Sequence, residues 1–348
     1  MSQRPYLKFT LAIAGIAACA VFGGRASAQE ASPTNSLPNP YHLVEGWGKD
    51  LPAGRQWGST NTLAIDPKGN IWVGERCGGA SCADSPLDPI LEFDPSGKFV
   101  KSMGGGMFIV PHGVYFDKDG NLWVTDFASK GDKGQQVIKF SPDGKELMRL
   151  GKAGVAGDGP DTFNQPDCVI VAPNGDIFVA DGHTPGKGNQ RVMKFSKDGT
   201  FIKQWGELGS GPGQFNVPHT LAFDSKGRLY VGDRVNMRIQ IFDQDGKFLE
   251  EWKQFGQPSG IFIDKNDVLY VADSQSQSTD PKNVAYNPGF DQGIRIGSAK
   301  DGKVMNFIPI PHPADVSTNA PEGITSDGKG NIYIADVVLK DIRKYTKN

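Results

Sequence analysis

The sequence predicts an all-β, six-bladed β-propeller whose ring is closed by its N-terminal strand. The first observation is a repeat: six imperfect copies of one unit each hold a strand, a tight turn rich in Asp, Gly and Asn, and a second, aromatic-rich strand. The second is that another hairpin follows most copies, which gives the four strands of a propeller blade. The third is that no helical periodicity of useful length occurs.

The blades can be placed in order along the chain. The six copies of the first hairpin occupy residues 60–76, 111–126, 166–181, 218–233, 258–273 and 321–336. The first four are followed by a recognisable second hairpin, at residues 90–104, 137–151, 191–206 and 238–253. Each pair of hairpins is expected to form one blade.

The two ends of the chain predict how the ring closes. The last copy is followed only by the strand pattern at residues 342–345, which leaves the sixth blade one strand short. Residues 42–48 supply a spare strand and resemble residues 201–206, the fourth strand of another blade. Because pairing these ends would remove two exposed strand edges, we expect the N-terminal strand to complete the last blade.

The first 28 residues are typical of an export signal peptide. Arg4 and Lys8 give a basic start, residues 11–22 are apolar, and Ala26-Ser27-Ala28 offers the small residues of a cleavage site. The apolar run is too short for a transmembrane helix, so no membrane-spanning segment is expected. The protein would then be periplasmic or secreted. Lipid anchoring at Cys19 is an alternative, but the apolar run continues past that cysteine.

After cleavage the chain is expected to begin with a disordered leader at residues 29–40, followed by the propeller at residues 41–348. The full sequence carries 37 Lys and Arg against 39 Asp and Glu, a net charge of −2, and no basic patch stands out. This charge balance argues against a nucleic-acid partner.

Three cysteines lie within the predicted propeller. Cys77 and Cys82 bracket a glycine-rich loop, and an oxidising compartment would allow a disulfide between them. The alternative is a pair of unlinked loop thiols. Cys168 lies in a strand pattern and is expected to pack in the interior.

One residue of each copy is expected to face the propeller axis, at the start of the innermost strand. This axial ring consists of Asn61, His112, Asp167, His219, Ser259 and Glu322. Blades two, four and six contribute His112, His219 and Glu322, which can meet because alternate blades are evenly spaced around the axis. Two imidazoles and a carboxylate with open positions suit catalytic zinc and also non-haem iron(II). The alternative is a set of channel-lining polar residues bridged by water.

A second ring is expected at the mouth of the channel, after the second strand of each copy. It includes Arg76, His183 and Arg234. An arginine fork matches the two oxygens of a carboxylate, and a histidine can take a proton near neutral pH. The alternatives are salt bridges for the arginines and an exposed loop position for His183.

A carboxylate also recurs at the end of the second strand of every copy. This carboxylate ring consists of Glu75, Asp126, Asp181, Asp233, Asp273 and Asp336. Such regularity predicts one structural hydrogen bond per blade.

Three short motifs lie at these positions: Pro111-His112-Gly113 with Trp123-Val124-Thr125-Asp126, Phe215-Asn216-Val217-Pro218-His219, and Asp233-Arg234 with Arg238-Ile239-Gln240. Together with linkers such as residues 209–215 they resemble the NHL repeat family, and the resemblance covers nearly all of residues 41–348. Within that family they resemble the peptidyl-α-hydroxyglycine α-amidating lyases. NHL-type repeats also occur in non-catalytic proteins, so the repeat alone implies no chemistry.

The resemblance implies a propeller with a zinc ion at its centre and a reaction that splits an α-hydroxyglycine into a peptide amide and glyoxylate. It implies that His112 and His219 bind zinc and that Arg76 and Arg234 hold the substrate and its carboxylate. The sequence departs from the family at two positions. Glu322 stands where the family has a third zinc-binding histidine, and His183 stands where it has a catalytic tyrosine.

The family also binds calcium, through two backbone carbonyls and an aspartate. The carbonyl positions match Leu63 and Val114, but the aspartate position is Gly323. Calcium is therefore not expected in this chain. Glu322 in turn leaves three outcomes open: a His₂Glu zinc site, a different metal, or a weakened site.

The sequence thus predicts a metal-dependent lyase with Glu322 as third ligand and His183 as base. Its partner would be a small-molecule or peptide substrate that carries a carboxylate. One alternative is a non-catalytic propeller that binds a ligand or another protein in the cell envelope. A lactonase-like hydrolase on the same metal is the other.

Overall fold

The computed structural model describes Met1 and residues 32–52, 54–310 and 321–348. The described residues form 24 β-strands in six four-stranded antiparallel sheets, which are the six blades of a β-propeller. No α-helix occurs among them, and so none that could cross a membrane. The predicted fold class is confirmed.

Successive groups of four strands run from the axis outwards in blades one to five. Blade one holds β2 (Thr60–Ile65), β3 (Ile71–Glu75), β4 (Ile90–Phe93) and β5 (Phe99–Met103). Blade two holds β6 (Pro111–Phe116), β7 (Leu122–Lys130), β8 (Lys133–Phe140) and β9 (Glu146–Leu150). Blade three holds β10 (Pro166–Val171), β11 (Ile177–Asp181), β12 (Arg191–Phe195) and β13 (Phe201–Trp205).

The remaining blades follow the same order, except that the last one borrows a strand. Blade four holds β14 (Pro218–Phe223), β15 (Leu229–Asp233), β16 (Arg238–Phe242) and β17 (Phe248–Trp252). Blade five holds β18 (Pro258–Ile263), β19 (Val268–Asp273), β20 (Gly293–Ser298) and β21 (Val304–Pro309). Blade six holds β22 (Pro321–Ser326), β23 (Asn331–Asp336), β24 (Asp341–Lys347) and, outermost, β1 (Tyr41–Val44).

The N-terminal strand closes the ring, as predicted. β1 pairs antiparallel with β24, from Tyr41 opposite Lys347 to Val44 opposite Lys344. Trp47, only 5% exposed, follows this strand and packs between blades six and one, with its ring centroid 5.0 Å from that of Tyr333. The closure therefore combines a hydrogen-bonded edge with a buried aromatic contact.

A β-bulge at the start of each innermost strand aims the axial ring at the axis. In every blade the ladder between the first two strands shifts register there, so the axial residue has no partner in the neighbouring strand. A bulge bends its strand and re-aims a side chain. This local irregularity explains why the first residue after the proline points into the channel.

The carboxylate ring is structural, as its regular spacing predicted. Every member accepts at least one backbone N–H from a loop beside it. In blade two, for example, Asp126 accepts the N–H groups of Ile109 at 2.8 Å and Val110 at 2.6 Å. These bonds fix the inter-blade loops that surround the channel mouth.

The described part of the predicted leader, residues 32–40, contacts blade five. Arg295 is fully buried in blade five and needs acceptors beyond its partner Asp273. It donates to Thr34 Oγ1 at 2.9 Å and to Asn35 Oδ1 at 2.8 Å. Asn35 in turn donates to the carbonyl of Gly289 at 2.7 Å. The predicted signal peptide and Cys19 lie outside the described residues, apart from Met1.

The predicted disulfide between Cys77 and Cys82 is present. Cys168 is a free thiol on the innermost strand of blade three, where it is half-buried and packs against the core between blades three and four. Burial raises the pKa of this thiol to about 12.

Candidate metal centre

The three predicted metal ligands meet on the axis. His112 and His219 are each 3% exposed, and their ring centroids lie 4.9 Å apart. Glu322, 7% exposed, places one carboxylate oxygen 3.8 Å from His112 Nε2 and the other 3.9 Å from His219 Nε2. The structure thus brings together side chains that are 103 or more residues apart in sequence.

Hydrogen bonds around the axis set the orientation of both imidazoles. His112 Nδ1 donates to the backbone carbonyl of Asp167 at 2.9 Å, and His219 Nδ1 donates to that of Ser259 at 2.7 Å. In each case the acceptor is the axial residue of the next blade. Because a carbonyl can only accept, Nδ1 carries the proton and Nε2 keeps its lone pair.

The unsatisfied atoms of this site test whether a metal fits. His112 Nε2, His219 Nε2 and Glu322 Oε2 are buried and have no hydrogen-bond partner among the described residues. Buried polar atoms are rarely left without a partner, and a metal ion would satisfy all three at once. Neutral imidazoles whose Nδ1 is fixed by an outer acceptor are the usual form of metal-binding histidine. The residues present therefore fit a divalent metal.

His183 joins the same cluster from the mouth of the channel. Its ring centroid lies 4.9 Å from that of His112 and 5.3 Å from that of His219. Its Nδ1 is hydrogen-bonded to Asp167 Oδ1 at 2.8 Å. Among the described residues, His112, Asp167, His183 and His219 form a group whose ligand atoms lie close enough to hold one ion.

Sequence reasoning placed Asp167 in the axial ring but gave it no role. The available signal was its position, since it occupies the same bulge as His112 and His219 in the neighbouring blades. Its contact with His183 depends on a loop that comes 16 residues later. Only the folded blade brings the two groups together.

Burial controls the charge of the cluster. Desolvation lowers the pKa of His112 to about 3 and that of His219 well below its ordinary value. Desolvation, and next the positive charge of Arg234, also lower the pKa of His183. Burial raises the pKa of Asp167 to about 7. The three imidazoles are therefore neutral at neutral pH, which is the form that binds metals.

Arg234 and Arg76, the two predicted substrate-binding arginines, have different partners in the structure. Arg234 Nη1 donates to Glu322 Oε1 at 3.1 Å, and both side chains are buried. This pairing follows from the departure at Glu322, because a buried carboxylate requires a counter-charge. Arg234 thus uses one of its donors for Glu322, while its Nε has no partner among the described residues.

Arg76 has a different environment. Its guanidinium makes no hydrogen bond or ion pair within the described part of the chain, and its Nε is buried without a partner. The group lies over the ring of Phe127, 5.7 Å from the ring centroid, and desolvation lowers its pKa. An unpaired arginine of this kind is ready to take a carboxylate.

The axial ring also lines one end of a cavity of about 620 Å³, which extends along the innermost strands and is not lined by Arg76, His183 or Arg234. Its walls carry one aliphatic side chain per blade, from Leu63, Val114, Val169, Leu221, Ile261 and Ile324. Gly323, which stands at the position of the family's calcium-binding aspartate, packs closely against the Thr62 backbone, where a Cβ would come within 2.8 Å. A glycine there offers no carboxylate to calcium.

The chain is similar in sequence to several known proteins. The NHL repeat model matches residues 215–242. The chain is 33% identical over 327 residues to the peptidyl-glycine alpha-amidating monooxygenase of Mus musculus, which covers 83% of this chain and 30% of that protein. It is 28% identical over 225 residues to peptidyl-alpha-hydroxyglycine alpha-amidating lyase 2 of Drosophila melanogaster. That alignment covers 59% of this chain and 51% of the relative. The chain thus spans about a third to a half of these relatives.

A solved structure supports the fold alone. A gluconolactonase from Xanthomonas campestris superimposes with a TM-score of 0.60 at 15% identity, over 92% of this chain and 99% of its own. The chain is therefore a six-bladed β-propeller with an NHL repeat at residues 215–242, and it resembles the peptidyl-α-hydroxyglycine α-amidating lyases.

Proposed function

We propose that this protein is an exported, metal-dependent lyase that cleaves the C–N bond of an α-hydroxyglycine-like carbinolamide. The products are an amide and glyoxylate. The observation that carries the proposal is the meeting of His112 Nε2, His219 Nε2 and Glu322 Oε2, none of which has a hydrogen-bond partner among the described residues. Such a site can bind a metal and a substrate carboxylate together.

His112 and His219 would hold the metal, and zinc is the proposed ion, with iron(II) as the alternative. When bound, the metal supplies a Lewis acid that lowers the pKa of a nearby hydroxyl group. Two imidazoles whose Nδ1 atoms are anchored to backbone carbonyls would hold it without rearrangement.

The reaction itself needs one proton acceptor. The base removes the proton of the substrate hydroxyl, the O–H electrons form the carbonyl of glyoxylate, and the C–N electrons leave on nitrogen. The nitrogen gains a proton and departs as the amide. His183 and Glu322 are the two groups available for the base and the third ligand. The sequence-based hypothesis assigns the ligand role to Glu322 and the base role to His183.

The substrate would be oriented from the channel mouth. Arg76 would bind its carboxylate through two N–H donors, because no protein group competes for that guanidinium among the described residues. Arg234 would act as a positioning residue, since it holds Glu322 at 3.1 Å. The channel mouth therefore favours substrates that carry a single carboxylate next to the reacting carbon.

The test is turnover by purified protein that begins at Gln29. We expect zinc-loaded protein to release glyoxylate from N-benzoyl-α-hydroxyglycine, and chelator-treated protein to lose this activity until zinc is restored. His112→Ala should be inactive, and His42→Ala, which removes an exposed histidine far from the axis, should match the wild type. Zinc binding without glyoxylate release would refute the lyase. Hydrolysis of lactones instead would favour the lactonase-like alternative, and neither activity would favour a binding propeller.

Export is part of the same proposal. A disulfide between Cys77 and Cys82 fits an oxidising compartment outside the cytoplasm. We expect the protein in the periplasmic or culture fraction, with Gln29 as its first residue by N-terminal sequencing. A cytoplasmic protein that retains Met1 would contradict export, and a lipid-modified N-terminus at Cys19 would show anchoring instead.

A further inference from the structure

We propose that His183 is the third imidazole ligand of the metal site and that Glu322 is the neighbouring base. This inference rests on the proposed function and exchanges two roles within it. It gives the site three neutral nitrogen ligands, from blades two, three and four, and leaves the carboxylate of blade six free to accept a proton.

The three imidazoles lie close enough together to bind one ion. The ring centroids of His112, His183 and His219 form a nearly equilateral triangle, with sides of 4.9, 4.9 and 5.3 Å. Three imidazoles bound to one ion must approach one another in this way. Such close packing of polar rings in the interior is costly without a common partner.

Each of the three imidazoles uses Nδ1, the nitrogen that faces away from the common centre, for a hydrogen bond. His112 and His219 each use Nδ1 for a backbone carbonyl, and His183 uses Nδ1 for Asp167 Oδ1 at 2.8 Å. A carboxylate or carbonyl on the outer nitrogen is the usual arrangement behind a metal-bound histidine. All three rings therefore present Nε2 as the remaining nitrogen.

The loop that carries His183 is held in place. Gly182 has a φ of 146°, and a Cβ there would come within 2.7 Å of the Gln190 backbone, so the sharp turn requires glycine. The backbone N–H of His183 donates to Gln165 Oε1 at 3.3 Å. The ring of Phe127 stacks on the imidazole with centroids 4.4 Å apart. This rigid support suits a ligand, whose position must be fixed before the metal binds.

Glu322 has the features of a base at the edge of the site. Oε1 is paired with Arg234 at 3.1 Å, whereas Oε2 is buried without a partner, 3.8 Å from His112 Nε2. Arg234 thus holds one carboxylate oxygen in place, and the other oxygen lies beside the ligand nitrogens. A substrate hydroxyl beside His112 Nε2 would come within reach of that oxygen.

Metal affinity of matched variants separates the two assignments. Zinc affinity, measured by competition with a chromophoric chelator, should fall by about 100-fold or more in His183→Ala. It should stay within about threefold of the wild type in Glu322→Gln, which keeps the shape of the side chain but loses glyoxylate release. His42→Ala is the control for removing a histidine. Full zinc affinity in His183→Ala, with loss of affinity in Glu322→Gln, would overturn the proposal.

A measurement on the unaltered protein covers the case in which a variant does not fold. Copper(II) loaded into the metal-free wild type can be studied by electron spin-echo spectroscopy, which counts bound imidazoles. We expect three; two would overturn the inference while leaving the lyase proposal intact. Three imidazoles without turnover would refute the lyase and keep the inference. A wild type that binds no metal would overturn both.

Discussion

The axial ring and the carboxylate ring both repeat once per blade, but they differ in how the protein satisfies their polar atoms. Each member of the carboxylate ring accepts a backbone N–H. In the axial ring, buried atoms of Asn61, His112, Asp167, His219 and Glu322 have no hydrogen-bond partner among the described residues. The two rings lie at the same end of each blade, because the residue before the axial position pairs with the ring carboxylate, as Pro111 does with Asp126.

This contrast separates structure from function within one repeat. A carboxylate that is regular in sequence and bonded to its own blade stabilises the fold. An axial position that varies from blade to blade, and is left unsatisfied, needs a partner from outside the chain. The repeat therefore fixes where side chains lie, and the irregular positions determine the chemistry.

The largest effect on stability should come from removing β1, the strand that closes the propeller and so holds both rings together. Deletion of residues 29–50 removes β1 and Trp47, which exposes the edge of β24 and opens a buried aromatic contact. We expect a loss of cooperative unfolding that exceeds the effect of Trp47→Ala, which should cost about 3–5 kcal/mol. Thermal unfolding by circular dichroism measures both. An unchanged melting temperature in the deletion variant would show that the ring is not closed by this strand.

The next largest effect tests the carboxylate ring alone. Asp181 accepts the N–H of Asn164 at 2.7 Å and is paired with Arg191 Nε at 3.0 Å, fully buried. Asp181→Ala leaves a buried guanidinium unpaired and should destabilise the protein by about 3–5 kcal/mol in urea unfolding. Asp198→Ala, at an exposed turn of the same blade, is the control and should change stability little. Equal stability of the two variants would contradict the claim that the carboxylate ring stabilises the fold.

A smaller and purely functional effect is expected at Arg76. Because its guanidinium makes no hydrogen bond or ion pair with the described residues, Arg76→Ala should leave the melting temperature almost unchanged. Loss of a charge-assisted contact to the substrate carboxylate should raise KM by roughly 10–100-fold. Steady-state kinetics on N-benzoyl-α-hydroxyglycine and on its carboxamide analogue provide the measurement. A KM that rises equally for both compounds would contradict a carboxylate contact.

The smallest effect on the free energy of unfolding should come from removing the loop disulfide that follows Arg76. Cys77→Ser with Cys82→Ser removes a short cross-link, which should cost about 2 kcal/mol or less. Thiol labelling of the native wild type without reductant should modify neither cysteine. Labelling of both cysteines under these conditions would contradict the disulfide.

Much of this architecture could be predicted because it repeats. Six copies of one hairpin determine the blades, and the missing strand after β24 points to β1. The axial positions of His112, His219 and Glu322 follow from equivalence between blades. A periodic sequence fixes periodic structure, so these inferences needed no knowledge of distances.

The rest depends on contacts between parts of the chain that do not repeat. The pairing of Arg234 with Glu322 joins residues 88 apart, and its distance follows only from the closed ring. His183 reaches the cluster through the loop that follows β11, where the chain turns sharply at Gly182. Residues 32–40 contact blade five because buried Arg295 donates hydrogen bonds to Thr34 and Asn35. Amino-acid composition does not reveal such a contact.

The central claim is that the axial ring binds a metal that the fold itself does not require. Elemental mass spectrometry on purified wild type, His112→Ala and His219→Ala, combined with thermal unfolding of the metal-free forms, tests it most directly. We predict about one zinc per wild-type chain, little zinc in either variant, and metal-free melting temperatures that agree closely among all three. Metal content in either variant equal to that of the wild type, or a wild type without bound metal, would contradict the claim.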